Sequence, residues 1–165
     1  MSWVRKRPVA RLPHRPWPKS RERRSYVVAG KKFPKESEAK LALVAATEKY
    51  VTAFAEPNKC PKSGTITVGG QKACCPNTAA ATSEVLKAAM AKVKMSYVVG
   101  DQECGCPNKA KQLAKDSGKA AEFVVAGQKT CCNVTARLNL ARAKYVAAVQ
   151  ALAQADAAVT AADGS

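Results

Sequence analysis

Beyond residue 24 the chain alternates between two hydrophobic rhythms. Four short runs of β-branched and aromatic residues each lead into a glycine-centred turn and a polar pair: Tyr26-Val27-Val28-Ala29-Gly30-Lys31-Lys32, Thr67-Val68-Gly69-Gly70-Gln71-Lys72, Tyr97-Val98-Val99-Gly100-Asp101-Gln102-Glu103 and Phe123-Val124-Val125-Ala126-Gly127-Gln128-Lys129. Glycine supplies the positive φ of a tight turn, so each segment predicts a small hairpin. Behind each hairpin the apolar spacing becomes helical. The first helix, 35–55, places Ala39, Leu43, Ala46, Tyr50 and Phe54 on one stripe, and the second, 77–94, does so with Val85, Leu86, Ala89 and Val93. A short third helix, 107–117, carries Ala110, Leu113 and Ala114 and stops at Ser117-Gly118. The fourth, 133–160, carries Leu138, Ala141, Tyr145, Val149, Leu152 and Val159. Pro34, Pro76 and Pro107 stand where a first helical position would be, and Asn133 where a cap would be.

The fold class that follows is α+β: repeated ββα units, each a short Gly-turn hairpin followed by an Ala-rich helix, forming small antiparallel sheets packed on helices. Such recurrence means one supersecondary unit used several times. The units group as two pairs, 25–95 and 96–165, the second ending in the long C-terminal helix. A lone hairpin is marginal in water, so each pair is expected to join its hairpins in one sheet with the helices on one face.

Composition limits how much core these elements can share. The chain has 165 residues, enough for one or two small domains, and 47 % of them are hydrophobic, but 32 are alanine and 7 cysteine. The core is lean.

Charge divides the chain at its first repeat. Lys and Arg number 28 against 12 Asp and Glu, for a formal charge of +16. Residues 1–24 hold nine basic residues and the single acid Glu22, so half of the charge sits there. Pro8, Pro13, Pro16 and Pro18 in the same segment oppose a continuous helix and favour extended, solvated backbone. This basic, Pro-rich stretch reads as a disordered arm. With Trp3 and Trp17 interleaved, it can neutralise phosphates and stack on bases, giving a nucleic-acid partner; it also reads as a plain basic tail, or as sequence foreign to the repeats. No apolar run serves as an export signal, and none approaches the roughly 20 residues of a membrane span. An authentic start therefore places the chain in the cytoplasm, whereas a mis-assigned N-terminus leaves a secreted or periplasmic location open.

The cysteines follow the repeat. Counting four residues from the turn glycine gives Cys74, Cys104 and Cys131, with Pro34 in the first unit, and a second cysteine follows each: Cys75, Cys106 and Cys132. Cys60 lies in a loop ahead of the second hairpin, so the thiols group as Cys60/Cys74/Cys75 and Cys104/Cys106/Cys131/Cys132. A thiol at a helix N-terminus faces unpaired amides and the positive end of the dipole, which favours the thiolate, and Lys59, Lys72, Lys109 and Lys129 push the same way. Thiolates are ligands for soft or borderline cations such as Zn²⁺ and Cu(I). The second group can supply four ligands and the first three. Disulfide staples for a lean core in an oxidising compartment, with one thiol left over, and inert buried thiols are the competing readings.

A hairpin with cysteines at its end, followed by a helix closing in Lys-Tyr-Val, resembles the YHS and TRASH-like modules, small heavy-metal-associated units. The matching stretches are Phe123 to Val146, with Cys131-Cys132 and Lys144-Tyr145-Val146, and Tyr26 to Val51, with Lys49-Tyr50-Val51; Cys60-Pro61 is similar to that family's leading Cys. The Tyr-His-Ser signature is missing, and the cysteines are adjacent where the family spaces them. The resemblance implies a metal ion as partner without choosing between Zn and Cu(I).

Enzymatic readings find little support. The single His14 lies in the arm, no Gly-rich phosphate loop or paired-carboxylate signature occurs, and Gly69-Gly70 is a turn. Thiol–disulfide chemistry at Cys104-Gly105-Cys106 needs no histidine and stays open. The leading expectation is a small non-enzymatic metal-binding protein that uses thiolates at hairpin-to-helix junctions. The alternatives are a disulfide-stapled binding or structural protein and a nucleic-acid-associated basic protein acting through residues 1–24.

Overall fold

A computed structural model describes residues 25–163, with side chains to residue 155; the basic arm over 1–24 lies outside it. The elements in chain order are β1 (Tyr26–Val28), β2 (Lys31–Phe33), α1 (Glu36–Phe54), β3 (Asn58–Lys59), β4 (Ile66–Val68), β5 (Gln71–Ala73), α2 (Pro76–Lys92), β6 (Met95–Val99), β7 (Gln102–Cys104), α3 (Pro107–Ser117), β8 (Ala121–Val125), β9 (Gln128–Thr130) and α4 (Asn133–Asp163). The fold is α+β with small antiparallel sheets. Pro76 and Pro107 occupy first helical positions, where a missing N–H costs nothing, and Gly118 ends α3 in the left-handed conformation. Pro34 does not begin α1: Lys35 is its N-cap, so the proline stands one residue outside.

Each hairpin closes on two residues. Both central residues have positive φ at Ala29-Gly30, Gly69-Gly70 and Ala126-Gly127, the type I′ pattern whose twist suits a hairpin. At Gly100-Asp101 only the glycine does, the type II′ pattern, so Gly100 takes the first turn position where Gly30, Gly70 and Gly127 take the second.

The second pair of hairpins shares a sheet of order β7-β6-β8-β9, with Tyr97 opposite Phe123 at its centre and their rings 5.5 Å apart. The first pair does not. β1 and β2 form a two-stranded sheet of their own, and β4 pairs with β5 and with β3. Asn58-Lys59 folds back on Thr67 and Ile66, so the outer edge of β4 is filled locally and is closed to the first hairpin.

The helices draw the two pairs together. α4 packs against α1 and α2 of the first pair and against β8 of its own. One core cluster contains Ala55, Val68, Ala79 and Leu86 with Ala148 and Leu152 of α4. The pairs are therefore not separate packing units. A smaller cluster of Val99, Cys104 and Ala110 is lined by Tyr97, Leu113, Ala114 and Ala121. The tip of the second hairpin is wedged into the main core: the Gly69 N–H donates to the Phe54 carbonyl at 2.9 Å, and a β-carbon on Gly69 would meet Leu152 Cδ1 at 2.6 Å.

The buried stripes differ from the expected ones. α1 buries Ala39, Val44 and Val51 and leaves Leu43 and Tyr50 exposed; α2 buries Ala79, Ser83 and Leu86 and leaves Val85 exposed. On α4, Ala136, Ala141, Ala148 and Leu152 are buried and Val149 is exposed. Alanine on every face lets several helix rotations bury similar area, so tertiary contacts choose among them. The two Lys-Tyr-Val segments meet across α1 and α4, with Tyr50 and Tyr145 rings 5.9 Å apart and Phe54 edge-on to Tyr145 at 4.9 Å. Arg137 of α4 and Lys87 of α2 form ion pairs with acids on and just after α1. Arg137 Nη2 makes a two-point contact with the Glu48 carboxylate at 2.9 and 2.7 Å, and Lys87 reaches Glu56 at 3.0 Å.

Candidate metal centre

Strand register decides which cysteines are equivalent. The residue opposite Tyr26, Ile66, Tyr97 and Phe123 is Phe33, Ala73, Cys104 and Thr130 respectively. Cys104 is thus the last strand residue, one step before the position of Cys74 and Cys131, which Gly105 fills. Counting from the turn glycine places it wrongly because the third turn carries its glycine one residue early. Cys104 is buried beside Val99 and Ala110, its sulfur 3.9 Å from the Cys106 carbonyl oxygen, and serves as a small core residue.

The true recurrence lies one residue further on. Cys75 and Cys106 are the N-caps of α2 and α3, where the first unit has Lys35. Cys132 holds the same place before α4: its carbonyl accepts from Ala136 N–H at 2.9 Å, as Cys75 accepts from Ala79 and Cys106 from Ala110. Asn133, expected as the cap, is the first residue of the helix itself.

These positions make acidic thiols. At Cys75 the Thr78 hydroxyl, then the Thr78 N–H, the Cys74 thiol and the Asn77 N–H bring the pKa down to about 7. The Cys75 sulfur accepts from Thr78 N–H at 3.5 Å, and both Cys74 Sγ and Cys75 Sγ reach Thr78 Oγ1, at 3.2 and 3.3 Å. Cys132 is lowered by the Thr135 hydroxyl, the Thr135 and Val134 N–H groups and the charge of Lys40. Cys106 is lowered by the Lys109 and Asn108 N–H groups with the Lys109 charge, and Cys60 by the Ser63 hydroxyl and the Ser63 and Lys62 N–H groups. Amides and hydroxyls thus lead; of the lysines expected to help, Lys109 contributes, while Lys59, Lys72 and Lys129 are not among the causes.

Thr78 and Thr135, whose hydroxyls lead in lowering these two thiols, are residues that charge and cysteine spacing pass over. Their signal is the recurrence Cys-Cys-x-x-Thr at 74–78 and 131–135, which puts a hydroxyl three residues after each N-cap cysteine. Alkylation of Cys75, followed by peptide mass spectrometry, is expected to reach half its limiting rate near pH 7, since the thiolate is the nucleophile. Thr78→Val should move that midpoint upward toward the ordinary thiol range. An unmoved midpoint excludes the hydroxyl as the main cause.

Two of the expected groupings do not assemble. Cys104 and Thr130 end one row across β7-β6-β8-β9, three strand spacings and about 14 Å apart, so Cys104/Cys106 and Cys131/Cys132 sit at opposite edges and form no single four-thiolate group. Cys60, whose N–H donates to the Thr65 carbonyl at 2.9 Å, lies two spacings from Cys74 across β4, about 10 Å. That exceeds the roughly 7 Å reach of a disulfide. All seven cysteines are free thiols, and no three side chains of His, Cys, Asp or Glu converge on a metal-sized site among the described residues. What the fold does bring together is Cys74 with Cys75, on the Thr78 hydroxyl; Cys131 and Cys132 are neighbours in sequence at the equivalent junction.

Among the described residues no helix is long and apolar enough to cross a membrane. No protein-family model, curated protein or solved structure matches the chain.

Proposed function

We propose that the chain is a non-enzymatic binder of soft, low-coordinate cations of the Cu(I) class, with one ion held by the thiolates of Cys74 and Cys75 and another by those of Cys131 and Cys132. The observation that carries this reading is the pair of sulfurs on one hydroxyl at the start of α2, with the Cys75 thiol at about 7. Near neutral pH about half of Cys75 is already thiolate, so a metal ion meets less proton competition at that sulfur. The helix amides and dipole offset the negative charge of a dithiolate. Soft sulfur ligands select Cu(I) over hard cations, and two-ligand sites suit it better than Zn²⁺, which asks for four. The resemblance of Phe123 to Val146 to heavy-metal-associated modules points the same way.

Titration of the reduced protein with Cu(I) against a chromophoric competing chelator tests this reading. The expected end point is one ion at each vicinal pair. Failure to outcompete even a weak chelator, or a Zn²⁺ affinity exceeding that for Cu(I), would overturn it.

A further inference from the structure

We infer that the outer edge of β1 is a strand-pairing surface for a second copy of this chain, giving an antiparallel β1–β1 contact and a four-stranded sheet across the dimer. The template is inside the molecule. β6 and β8 are the first strands of their hairpins, and they pair antiparallel with Tyr97 opposite Phe123 and Ser96 opposite Val124. Tyr97 and Phe123 are equivalent positions, each opposite the last residue of its own hairpin, so this contact is a local twofold between two like hairpins.

Among the described residues, β1 presents the same edge without a strand paired to it. Ser25-Tyr26-Val27-Val28 repeats Ser96-Tyr97-Val98-Val99 residue for residue. β4 has its outer edge covered by β3, whereas among the described residues only β2 pairs with β1. Val27 is 60 % exposed where its equivalent Val98 is 8 % exposed. Both central φ values of the Ala29-Gly30 turn are positive, so it is a type I′ turn that bonds Val28 to Lys31. Antiparallel pairs alternate, which turns the N–H and C=O of Val27 away from β2 and out to the open edge, with those of Ser25 in step. An exposed row of backbone donors and acceptors is a template for another strand. A second copy supplies it in self-complementary form: Tyr26 meets Tyr26, and Ser25 meets Val27 as Ser96 meets Val124. The strands are short and each chain carries +16, so the association is weak and strengthens as salt screens the repulsion.

Sedimentation of the full chain over a concentration series, with reductant and chelator present to exclude disulfide and metal bridges, tests the contact. Wild type should shift from monomer to dimer with rising concentration, more readily at higher salt. Val27→Pro removes the outward N–H without touching the β1–β2 ladder and should stay monomeric; Lys32→Pro removes the corresponding N–H on the opposite edge, that of β2, and should dimerise as wild type does. A wild type that stays monomeric throughout, with the Val27 amide protected from exchange, assigns the edge to another segment of the same chain and overturns the proposal. Equal loss of dimer in both variants, or a dimer that survives Val27→Pro, overturns it as well.

Discussion

Leu86→Ala is expected to cost about 2–5 kcal/mol, a large share of the roughly 5–15 kcal/mol that holds a small protein folded. The reason is the leanness of the core. Leu86 is fully buried, and of its buried cluster companions Ala55, Ala79 and Ala148 are alanines, which leaves Val68 and Leu152 as the other bulky buried members, with Phe54, Ile66 and Met90 packed at the margin. It also touches the hairpin tip, since its Cδ1 lies 3.1 Å from where a Gly69 β-carbon would be. Truncation opens a void where β4, α2 and α4 meet, and alanine neighbours have no flexible side chains with which to fill it. Urea unfolding followed by circular dichroism should show the midpoint fall, whereas Leu41→Ala on the exposed face of α1 should change little, as Leu41 is 51 % exposed. Equal losses from the two substitutions would mean that the core lies elsewhere.

Replacing Cys74 and Cys75 together by serine is expected to remove one of the two Cu(I) sites and leave the other intact. Serine keeps an N-cap acceptor for Thr78 N–H, so α2 retains its start while both soft ligands are lost. The matching replacement of Cys131 and Cys132 should remove the remaining site when combined with it. Cys104→Ser, by contrast, should leave metal stoichiometry unchanged, because that thiol is buried in the smaller core cluster. The same chelator competition reads all three. Loss of both ions from the Cys74/Cys75 variant alone would join the two pairs in one cluster, although no three His, Cys, Asp or Glu side chains converge among the described residues.

Much of this arrangement is legible before any coordinates. The spans of α2 and α3 are marked by proline at their first positions and, for α3, by Gly118 at its end, and every hairpin is signalled by its turn. The grouping of the first pair of hairpins is not, because β3 is two polar residues with no alternating pattern to announce it. Helix rotation is not either: Ala-rich stripes let Leu43, Tyr50, Val85 and Val149 stand exposed while smaller residues are buried. At the candidate site, the thiols and their placement at helix starts are readable from spacing. Their equivalence is misread at Cys104 because a type II′ turn shifts the glycine by one, and the hydroxyls of Thr78 and Thr135 become meaningful only once each cysteine is known to be a cap.

The most direct measurement is copper X-ray absorption on the reduced protein loaded with one Cu(I) per vicinal pair. The expected spectrum has two sulfur neighbours per copper and no nitrogen or oxygen ligand, in wild type and in the variant that keeps only Cys131 and Cys132. Three or four sulfurs per copper, or a shell of nitrogen and oxygen donors, would contradict a two-thiolate site at each helix start.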